Sequence, residues 1–345
     1  MHGETDPPTT EELLLDALRE ATGLADLRYT SPPRPLSGGF WAEMYTIRLD
    51  GAPPALSGDL VARISPNAVT AARDATVQRT VFELGFPTAA IRLTLGPECA
   101  VGRAVTIMDL LPGRPLLGDL DNLPGPVALV RLARQLPAAL AGLAARLHDL
   151  DVGPVHAAMT PFGTADITQS LSAGAERASA LGHPDLALAT DRLAALTADD
   201  PRVVCHGDLH VFNVIVDGDR PQLVDWTVAR LAHPAYDVAF NRLLWHHPPM
   251  DLPKAVEPVV RAVGRLMSRR FASVYRSAAR HGIPITTASL DLYEAAHGHR
   301  ILLELAEWHA SGTGPTSHPW HSLAPVVARS LHRVTGTAIT VPGAR

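Results

Sequence analysis

The stretch that most limits how this chain can fold is CHGDLHVFNVIVDGDRPQLVDW, residues 205–226. It places two histidines, four aspartates and one asparagine around two short apolar runs that have the length of strands. Buried carboxylates are costly unless a charge or a hydrogen bond compensates them. The stretch therefore predicts a hairpin beside a polar site, and that site must contain a compensating charge.

Two strands, joined by the turn DGDR, are predicted at Phe212–Val216 and Gln222–Trp226. If the turn centres on Asp219, Asn213 lies opposite Asp225, and directly opposed side chains stand about 5 Å apart on one face. The alternative is that these two polar side chains only cap the ends of the hairpin.

An amide and a carboxylate that converge would suit Mg²⁺, which prefers oxygen ligands and usually keeps waters and substrate phosphates. Asp208 precedes Asn213 by five residues and is predicted on the loop that leads into the first strand. We expect it beside the metal. The compensating charge is then a divalent ion that shares the site with a phosphate chain.

The first third of the chain reads as a small antiparallel sheet with two helices. One helix is predicted over 11–22 with Gly23 as its end, and a second helix is predicted to begin at Ser65 as N-cap with Pro66 in its first position. Apolar alternation and β-rich runs predict the strands at 40–49, 60–65, 89–95 and 100–108.

Helical periodicity dominates after residue 113. It predicts helices at 127–150, 168–180, 184–198, 252–281, 287–310 and 321–335. The fold class is therefore α+β, with an N-lobe at 1–108, a connector at 109–113 and a helical C-lobe at 114–345. Within the C-lobe we place the polar loop and hairpin at 201–227 and acceptor-binding helices at about 234–335.

Composition excludes some partners. The net charge is −5 with no basic tract, so nucleic acid is not expected. No run of 18 apolar residues and no signal-peptide pattern is present, so we expect a cytoplasmic protein that does not bind membranes. The oligomeric state cannot be read from the sequence. Cys99 and Cys205 predict no disulfide framework, and Cys205 is interpreted as a small buried residue rather than a nucleophile.

HGDLHVFN followed by LVDW resembles the catalytic loop and metal-binding aspartate of the aminoglycoside phosphotransferase and choline kinase family. Its members, the macrolide phosphotransferases among them, are small-molecule kinases with a bilobal protein-kinase-like fold. The resemblance implies that Asp208 receives or orients the acceptor hydroxyl, and that Asn213 and Asp225 hold Mg²⁺. It also implies that His206 braces the loop and that Asp237 supports it from the following helix.

The nucleotide site is implied by the same resemblance. LSGGFWAEMYTI resembles the phosphate-binding loop, at Ser37, Gly38 and Gly39, and IMDLLPGRPL resembles the hinge, with Met108 and Leu110 as nucleotide contacts.

In these kinases a lysine that contacts the nucleotide phosphates usually pairs with a glutamate. This sequence departs from that pattern, because Arg63 stands where lysine is usual and Asp74 stands where glutamate is expected. The chain has one lysine, Lys254, so no lysine of the N-lobe can substitute. A longer cation facing a shorter anion preserves the ion pair, and we predict that Arg63 and Asp74 form it.

The predicted reaction transfers the γ-phosphoryl group of ATP or GTP, with Mg²⁺, to a hydroxyl of a small molecule, and an antibiotic or related natural product is favoured. Trp245, His246, Glu304 and Trp308 are the candidate acceptor contacts. Two alternatives remain open. One is a metal-dependent hydrolase that uses His206, Asp208 and His210, and the other is a catalytically inactive nucleotide-binding module.

Overall fold

The computed structural model describes residues 8–36, 42–117, 126–163, 165–248, 257–315 and 317–343, with the backbone alone at 126–132. The chain divides into two compact units. Unit 1 comprises Met1–Gly113 and Ile215–Thr227, and unit 2 comprises Arg114–Val214 and Val228–Arg345. The boundary after residue 113 matches the end of the predicted connector. The segment 215–227 groups with unit 1, whereas the sequence prediction put it in the C-lobe.

The strands and helices have the following bounds. The strands are β1 (Arg28–Tyr29), β2 (Arg34–Pro35), β3 (Glu43–Asp50), β4 (Asp59–Ser65), β5 (Ile91–Leu95), β6 (Ala104–Asp109), β7 (Arg114–Pro115), β8 (Val203–Cys205), β9 (Val214–Asp217), β10 (Arg220–Leu223) and β11 (Arg230–Ala232). The helices are α1 (Thr10–Thr22), α2 (Ala68–Glu83), α3 (Pro126–His148), α4 (Val152–Met159), α5 (Ile167–Ala180), α6 (Pro184–Thr197), α7 (Ala235–His246), α8 (Glu257–Ala278), α9 (Thr287–Ser311) and α10 (Trp320–Thr335).

Unit 1 is built on an antiparallel sheet with the strand order β1-β3-β4-β6-β5, to which β2 adds beside β3. Leu14 and Leu18 of α1 pack with Ile47, Leu60 and Ile107 of the sheet in one fully or nearly fully buried apolar cluster. The predicted α+β class with an antiparallel N-terminal sheet is confirmed.

Helix α1 agrees with the prediction, but the start of α2 does not. Ser65 is the last residue of β4 and pairs with Ala104, so it cannot cap a helix. Asn67 is the N-cap instead, because its side chain accepts the backbone N–H of Thr70 at 3.0 Å. Pro66, which lacks an N–H group, separates the strand from the cap.

The hairpin of unit 1 is shorter than predicted. β9 and β10 are adjacent strands that flank a turn at Gly218 and Asp219, so the turn does not centre on Asp219. The predicted opposition of Asn213 and Asp225 within paired strands is therefore wrong, because Asn213 precedes β9 and Asp225 follows β10.

Unit 2 is helical. Its helices pack chiefly as α5 with α6, α9 with α10, α3 with α8 and α7 with α9, and a short antiparallel pair, β8 with β11, lies among them. A large apolar core that includes Cys205, Tyr236 and Tyr293 joins these elements. Among the described helices, none is both long enough and apolar enough to cross a membrane.

Candidate active site

The polar loop of unit 2 follows β8 directly and is held by one buried carboxylate. Asp237, near the start of α7, accepts the backbone N–H of Gly207 at 2.7 Å and that of His206 at 2.9 Å. Burial alone would raise the pKa of Asp237, but the hydrogen bond and charge of His148, with further contributions from His206 and Gly207, lower it overall. This ionised, fully buried side chain makes the contact predicted for a residue that supports the loop.

Two further side chains brace the same region and were not predicted. His148 of α3 contacts Asp237 Oδ2 through Nε2 at 3.1 Å. Asn241, one turn after Asp237 on α7, donates through Nδ2 to the carbonyl of Leu209 at 2.8 Å. Two side chains of α7 thus bond the backbone of the loop, and His148 of α3 holds one of them. A buried backbone needs such partners for its polar groups.

Gly207 sets the course of the loop. Its φ is 78°, which is the left-handed region, and a Cβ atom there would lie 2.5 Å from the carbonyl oxygen of Val228. Glycine alone satisfies both conditions. The close approach places His206 inward, fully buried, and leaves the carboxylate of Asp208 partly exposed, at 23% of its side chain.

Asp208 is surrounded by three donor groups. Its Oδ2 atom lies 3.1 Å from His210 Nε2 and accepts from Asn213 Nδ2 at 3.1 Å, while Oδ1 accepts from Arg300 Nη2 at 3.2 Å. Desolvation would raise the pKa of Asp208, but the charge and hydrogen bond of His210, followed by the charges of Arg300 and His206, hold it far below its usual value. A carboxylate has about four lone-pair sites, so one remains for an acceptor hydroxyl.

The orientations of His210 and Asn213 follow from their backbone contacts. His210 caps the 3₁₀ turn Val211–Asn213, and its Nδ1 accepts the backbone N–H of Phe212 at 3.2 Å. Its other ring nitrogen, Nε2, thereby faces Asp208 Oδ2 at 3.1 Å. Asn213 uses Nδ2 toward Asp208, so its Oδ1 atom points elsewhere and has no partner among the described residues.

Unit 1 contains the predicted ion pair. Arg63 on β4 contacts Asp74 on α2 through Nη1, and both side chains are largely buried. Thr227, which was not predicted, links this ion pair to Asp225. Its Oγ1 accepts from Arg63 Nη2 at 3.0 Å and donates to Asp225 Oδ1 at 2.6 Å. Burial raises the pKa of Asp74 to about 6 against the lowering effect of Arg63, so the pair is ionised at neutral pH.

Asp225 has an unusual backbone. Its φ is 68°, and it is the non-glycine residue with a positive φ in the described part of the chain. A left-handed conformation costs an L-residue roughly 1–2 kcal/mol, and such strain is concentrated at functional positions. The buried indole of Trp226, which donates to Thr88 Oγ1 at 2.9 Å, anchors the backbone next to it. The carboxylate itself is 46% exposed.

Each candidate magnesium ligand can be assessed within its own unit. Asn213 retains a carbonyl oxygen, and the Oδ2 atom of Asp225 likewise has no partner among the described residues. Neutral and anionic oxygens of this kind are the ligands that Mg²⁺ prefers. Each of the two side chains, taken within its own unit, therefore offers an oxygen of the kind that fits Mg²⁺.

Other predicted nucleotide contacts have mixed outcomes. Ser37, Gly38 and Gly39 lie outside the described residues. Met108 lies in β6, where its sulfur accepts from Gln78 Nε2 at 3.8 Å. Leu110 donates its backbone N–H to the carbonyl of Asp59 at 3.0 Å, so its own carbonyl and its exposed side chain are left to contact a base.

The predicted acceptor contacts separate into two groups. Trp245 packs edge-on against Phe271 with ring centroids 5.6 Å apart, and His246 contacts Ser268 at 3.2 Å. Both therefore face α8.

The other two lie in an aromatic cluster that reaches Arg300. Glu304 accepts the indole N–H of Trp320 at 2.6 Å, and Arg300 lies 5.6 Å from the centroid of the Trp320 ring. Trp308 lies against His318, with centroids 4.8 Å apart, and His318 in turn lies 5.1 Å from Trp320. Glu304 and Trp308 are thus joined to Asp208 through Arg300.

The hydrolase alternative lacks a ligand cluster. His206, Asp208 and His210 do not bring three ligand atoms together, and the group that does so among the described residues is His148, Cys205 and Asp237. That group is fully buried, and its members already bond one another or the backbone. Burial also raises the pKa of Cys205 well above its ordinary value, so its thiol stays protonated.

Solved structures share this fold across nearly the whole chain. A Ralstonia eutropha protein assigned to the aminoglycoside phosphotransferases has a TM-score of 0.61 at 18% identity, and the alignment covers 94% of this chain and 98% of that one. The amicoumacin kinase hAmiN, solved with AMP-PNP, Ca²⁺ and Ami, gives 0.60 at 13% identity and 99% coverage of both chains. A choline/ethanolamine kinase family protein of Mesorhizobium loti gives 0.57 at 18% identity, covering 95% of this chain and 96% of that one.

Curated relatives match over a shorter part of the chain. Acyl-CoA dehydrogenase family member 11 of Mus musculus is 23% identical over 192 residues, and that of Pongo abelii is 25% identical over 191. These matches cover 53% of this chain and only 24% of either relative.

The family itself is shown by a match to a sequence model. The model of the phosphotransferase enzyme family, APH, matches residues 33–272, which is well over half of the chain. That range contains the polar loop, the Arg63–Asp74 pair and Asp237. The chain belongs to the APH phosphotransferase enzyme family.

Proposed function

We propose that this protein transfers the γ-phosphoryl group of ATP or GTP to a hydroxyl of a small molecule, with an antibiotic or related natural product as the acceptor class to examine first. The observation that carries the proposal is the carboxylate of Asp208, which three donors orient while one acceptor position stays open. Family membership and the nucleotide analogue in the related amicoumacin kinase support the reaction class.

Asp208 would orient the acceptor hydroxyl rather than deprotonate it in advance. A carboxylate whose pKa is far below the usual value is a weak base, and it cannot hold the proton of an alcohol in the ground state. Phosphoryl transfer passes through a loose transition state in which the acceptor oxygen becomes acidic late. Asp208 then receives the proton when bond formation is advanced.

Arg63 would contact the phosphate chain of the nucleotide. Asp74 fixes one side of its guanidinium, and the planar fork of arginine suits phosphate oxygens. Asn213 and Asp225 are the residues proposed to hold Mg²⁺, which would neutralise phosphate charge when bound. Ser37, Gly38 and Gly39 remain the proposed phosphate-binding loop.

A coupled-kinase screen with Mg·ATP and Mg·GTP tests the proposal. The panel should contain aminoglycosides, macrolides, amino alcohols and sugars. The rate of nucleotide hydrolysis measured without any acceptor serves as the baseline. We expect Mg²⁺-dependent turnover that Asp225→Asn abolishes and that Asp208→Asn lowers by about 10²-fold or more, while Asp219→Asn, in the exposed hairpin turn, retains it. The absence of any Mg²⁺-dependent turnover in wild-type protein would contradict the proposed function.

A further inference from the structure

We infer that Arg300 is a specificity-determining residue, which disfavours acceptors with an ammonium group beside the reacting hydroxyl and favours those with a carbonyl or carboxylate oxygen there. The inference rests on the proposed function, since it assigns Asp208 as the group that receives the acceptor. It narrows the acceptor class away from polycationic aminoglycosides.

Arg300 lies on α9 and meets Asp208 directly. Its Nη2 atom is 3.2 Å from Asp208 Oδ1, so any hydroxyl that bonds the open position of this carboxylate lies within a few ångströms of a guanidinium. The side chain of Arg300 is 12% exposed, so solvent screens its charge only weakly.

The guanidinium cannot readily turn away. Its central carbon lies 5.1 Å from the ring centroid of Phe240 and 5.6 Å from that of Trp320, which is the range of cation–π attraction. Its Nε atom is buried and has no hydrogen-bond partner among the described residues. The positive charge is therefore held by two aromatic rings and balanced by one direct ion pair, with Asp208.

The carboxylates of α9 are already occupied and offer little to a polycation. Asp291 and Glu294 both pair with Arg242, at 2.7 and 2.8 Å. Glu307 pairs with Arg177 at 3.5 Å. Glu304 accepts the indole N–H of Trp320, and burial raises the pKa of Glu304.

Charge therefore discriminates between acceptors at this position. An ammonium group on the carbon next to the one that carries the reacting hydroxyl would approach the Arg300 guanidinium. The counter-ion of that guanidinium, Asp208, is already shared with His210, Asn213 and the hydroxyl itself, so the ammonium is repelled. A carbonyl or carboxylate oxygen at the same place would instead be attracted to the guanidinium, which offers several N–H donors. The acceptor class is thus neutral or anionic beside its reacting hydroxyl.

Two sets of acceptors that differ chiefly in charge test the inference at pH 7. One set is 2-aminoethanol, ethane-1,2-diol and hydroxyacetate, and the other is kanamycin and its fully N-acetylated derivative. We expect kcat/KM of the wild-type enzyme to be at least tenfold higher for the neutral or anionic member than for the amine. Members that bind without transfer are ranked by their inhibition of nucleotide hydrolysis.

Arg300→Gln should reduce this discrimination to threefold or less, while the matched control Arg177→Gln, at an exposed arginine, should keep it. Arg300→Lys, which retains the charge, should keep the preferred order. If a thermal melt shows that Arg300→Gln does not fold, the inference is tested by the order of kcat/KM among the acceptors in the wild-type enzyme and in Arg300→Lys.

Equal or better use of the amines by wild-type enzyme would overturn the inference alone, as would unchanged discrimination in folded Arg300→Gln or a panel in which no member reacts or inhibits. Absence of any nucleotide turnover, with water included, would overturn the proposed function and the inference with it.

Discussion

Arg63 on β4 and Asp74 on α2 form an ion pair between two largely buried side chains. We expect Arg63→Ala to raise the KM for nucleotide by about ten- to a hundredfold, because a charge-assisted contact with phosphate contributes roughly 1.5–3 kcal/mol. Steady-state kinetics with varied nucleotide measures this effect. An unchanged KM and turnover would remove Arg63 from the nucleotide site.

Whether the lengths of the Arg63 and Asp74 side chains are matched can be tested by substituting both residues in one variant. Arg63→Lys alone should impair the enzyme, since lysine is shorter and lacks the fork, and aspartate does not extend to meet it. The double variant Arg63→Lys/Asp74→Glu restores the common pairing and should recover about tenfold in kcat/KM over the single variant, which a double-mutant cycle detects. Purely additive effects in that cycle would argue against a functional pair.

This pair could be predicted because the segments that carry Arg63 and Asp74 resemble motifs of the family. The prediction for the hairpin was wrong, because the register of two paired strands depends on how many residues the turn between them contains. The observed turn has two residues, and both strands are shorter than predicted. Asn213 is not in the first strand, because it is the last residue of a 3₁₀ turn that His210 caps by accepting the N–H of Phe212. The left-handed backbone of Asp225 had no signal in the sequence, since aspartate adopts it only where the surroundings require it.

Contacts between distant segments were the other failure. Arg300 follows Asp208 by 92 residues, so no local sequence pattern indicated that the two side chains meet. One weak signal existed, because Arg300 and Glu304 stand four residues apart on a predicted helix and must share a face. That spacing placed an arginine beside a proposed acceptor contact without showing that it reached the carboxylate. Long-range pairing of this kind depends on how α9 packs against α7, which periodicity does not define.

Asp208 is expected to affect turnover far more than binding. Asp208→Asn keeps the shape and the donors around it but removes the charge that orients and accepts a proton, so kcat should fall by about 10²-fold or more. The KM for nucleotide should change little. Because the pKa of Asp208 is far below its usual value, its own titration should not appear in the wild-type pH–rate profile between pH 5 and 9. An active Asp208→Asn enzyme would exclude this role.

Gly207 and Gly218 form a matched pair for testing the loop geometry. Both have positive φ, at 78° and 62°, but an added Cβ meets the Val228 carbonyl at 2.5 Å only in the first case and meets nothing within 4 Å in the second. Gly218→Ala should therefore cost about 1–2 kcal/mol of stability from the left-handed backbone alone. Gly207→Ala should cost more and lower kcat by at least tenfold, because the loop that carries Asp208 must move. Urea unfolding and kinetics on both variants compare these effects, and equal losses would contradict the steric argument.

Acid should destabilise the protein through a buried histidine that cannot accept a proton. Burial, with smaller effects of Arg177 and Arg230, lowers the pKa of His299 from 6.5 to about 3, and its Nδ1 bonds Thr190 Oγ1 at 2.8 Å. Between these two pKa values the unfolded chain binds a proton that the folded chain refuses, so the free energy of unfolding falls as the pH falls from 6.5 toward 3. By linkage, this one group removes about 2 kcal/mol between pH 7 and pH 5.

His299→Gln should remove that share of the pH dependence, since glutamine keeps an N–H donor for Thr190 and does not titrate. Urea unfolding at pH 7, 6 and 5 measures the slope in each protein. Ala310→Gln, at an exposed position of the same helix, neither adds nor removes a titratable group and should leave the slope as it is in wild type. If His299→Gln retained the full wild-type slope while remaining folded, another group, such as His297 with its similarly lowered pKa of about 3, would have to account for the acid sensitivity.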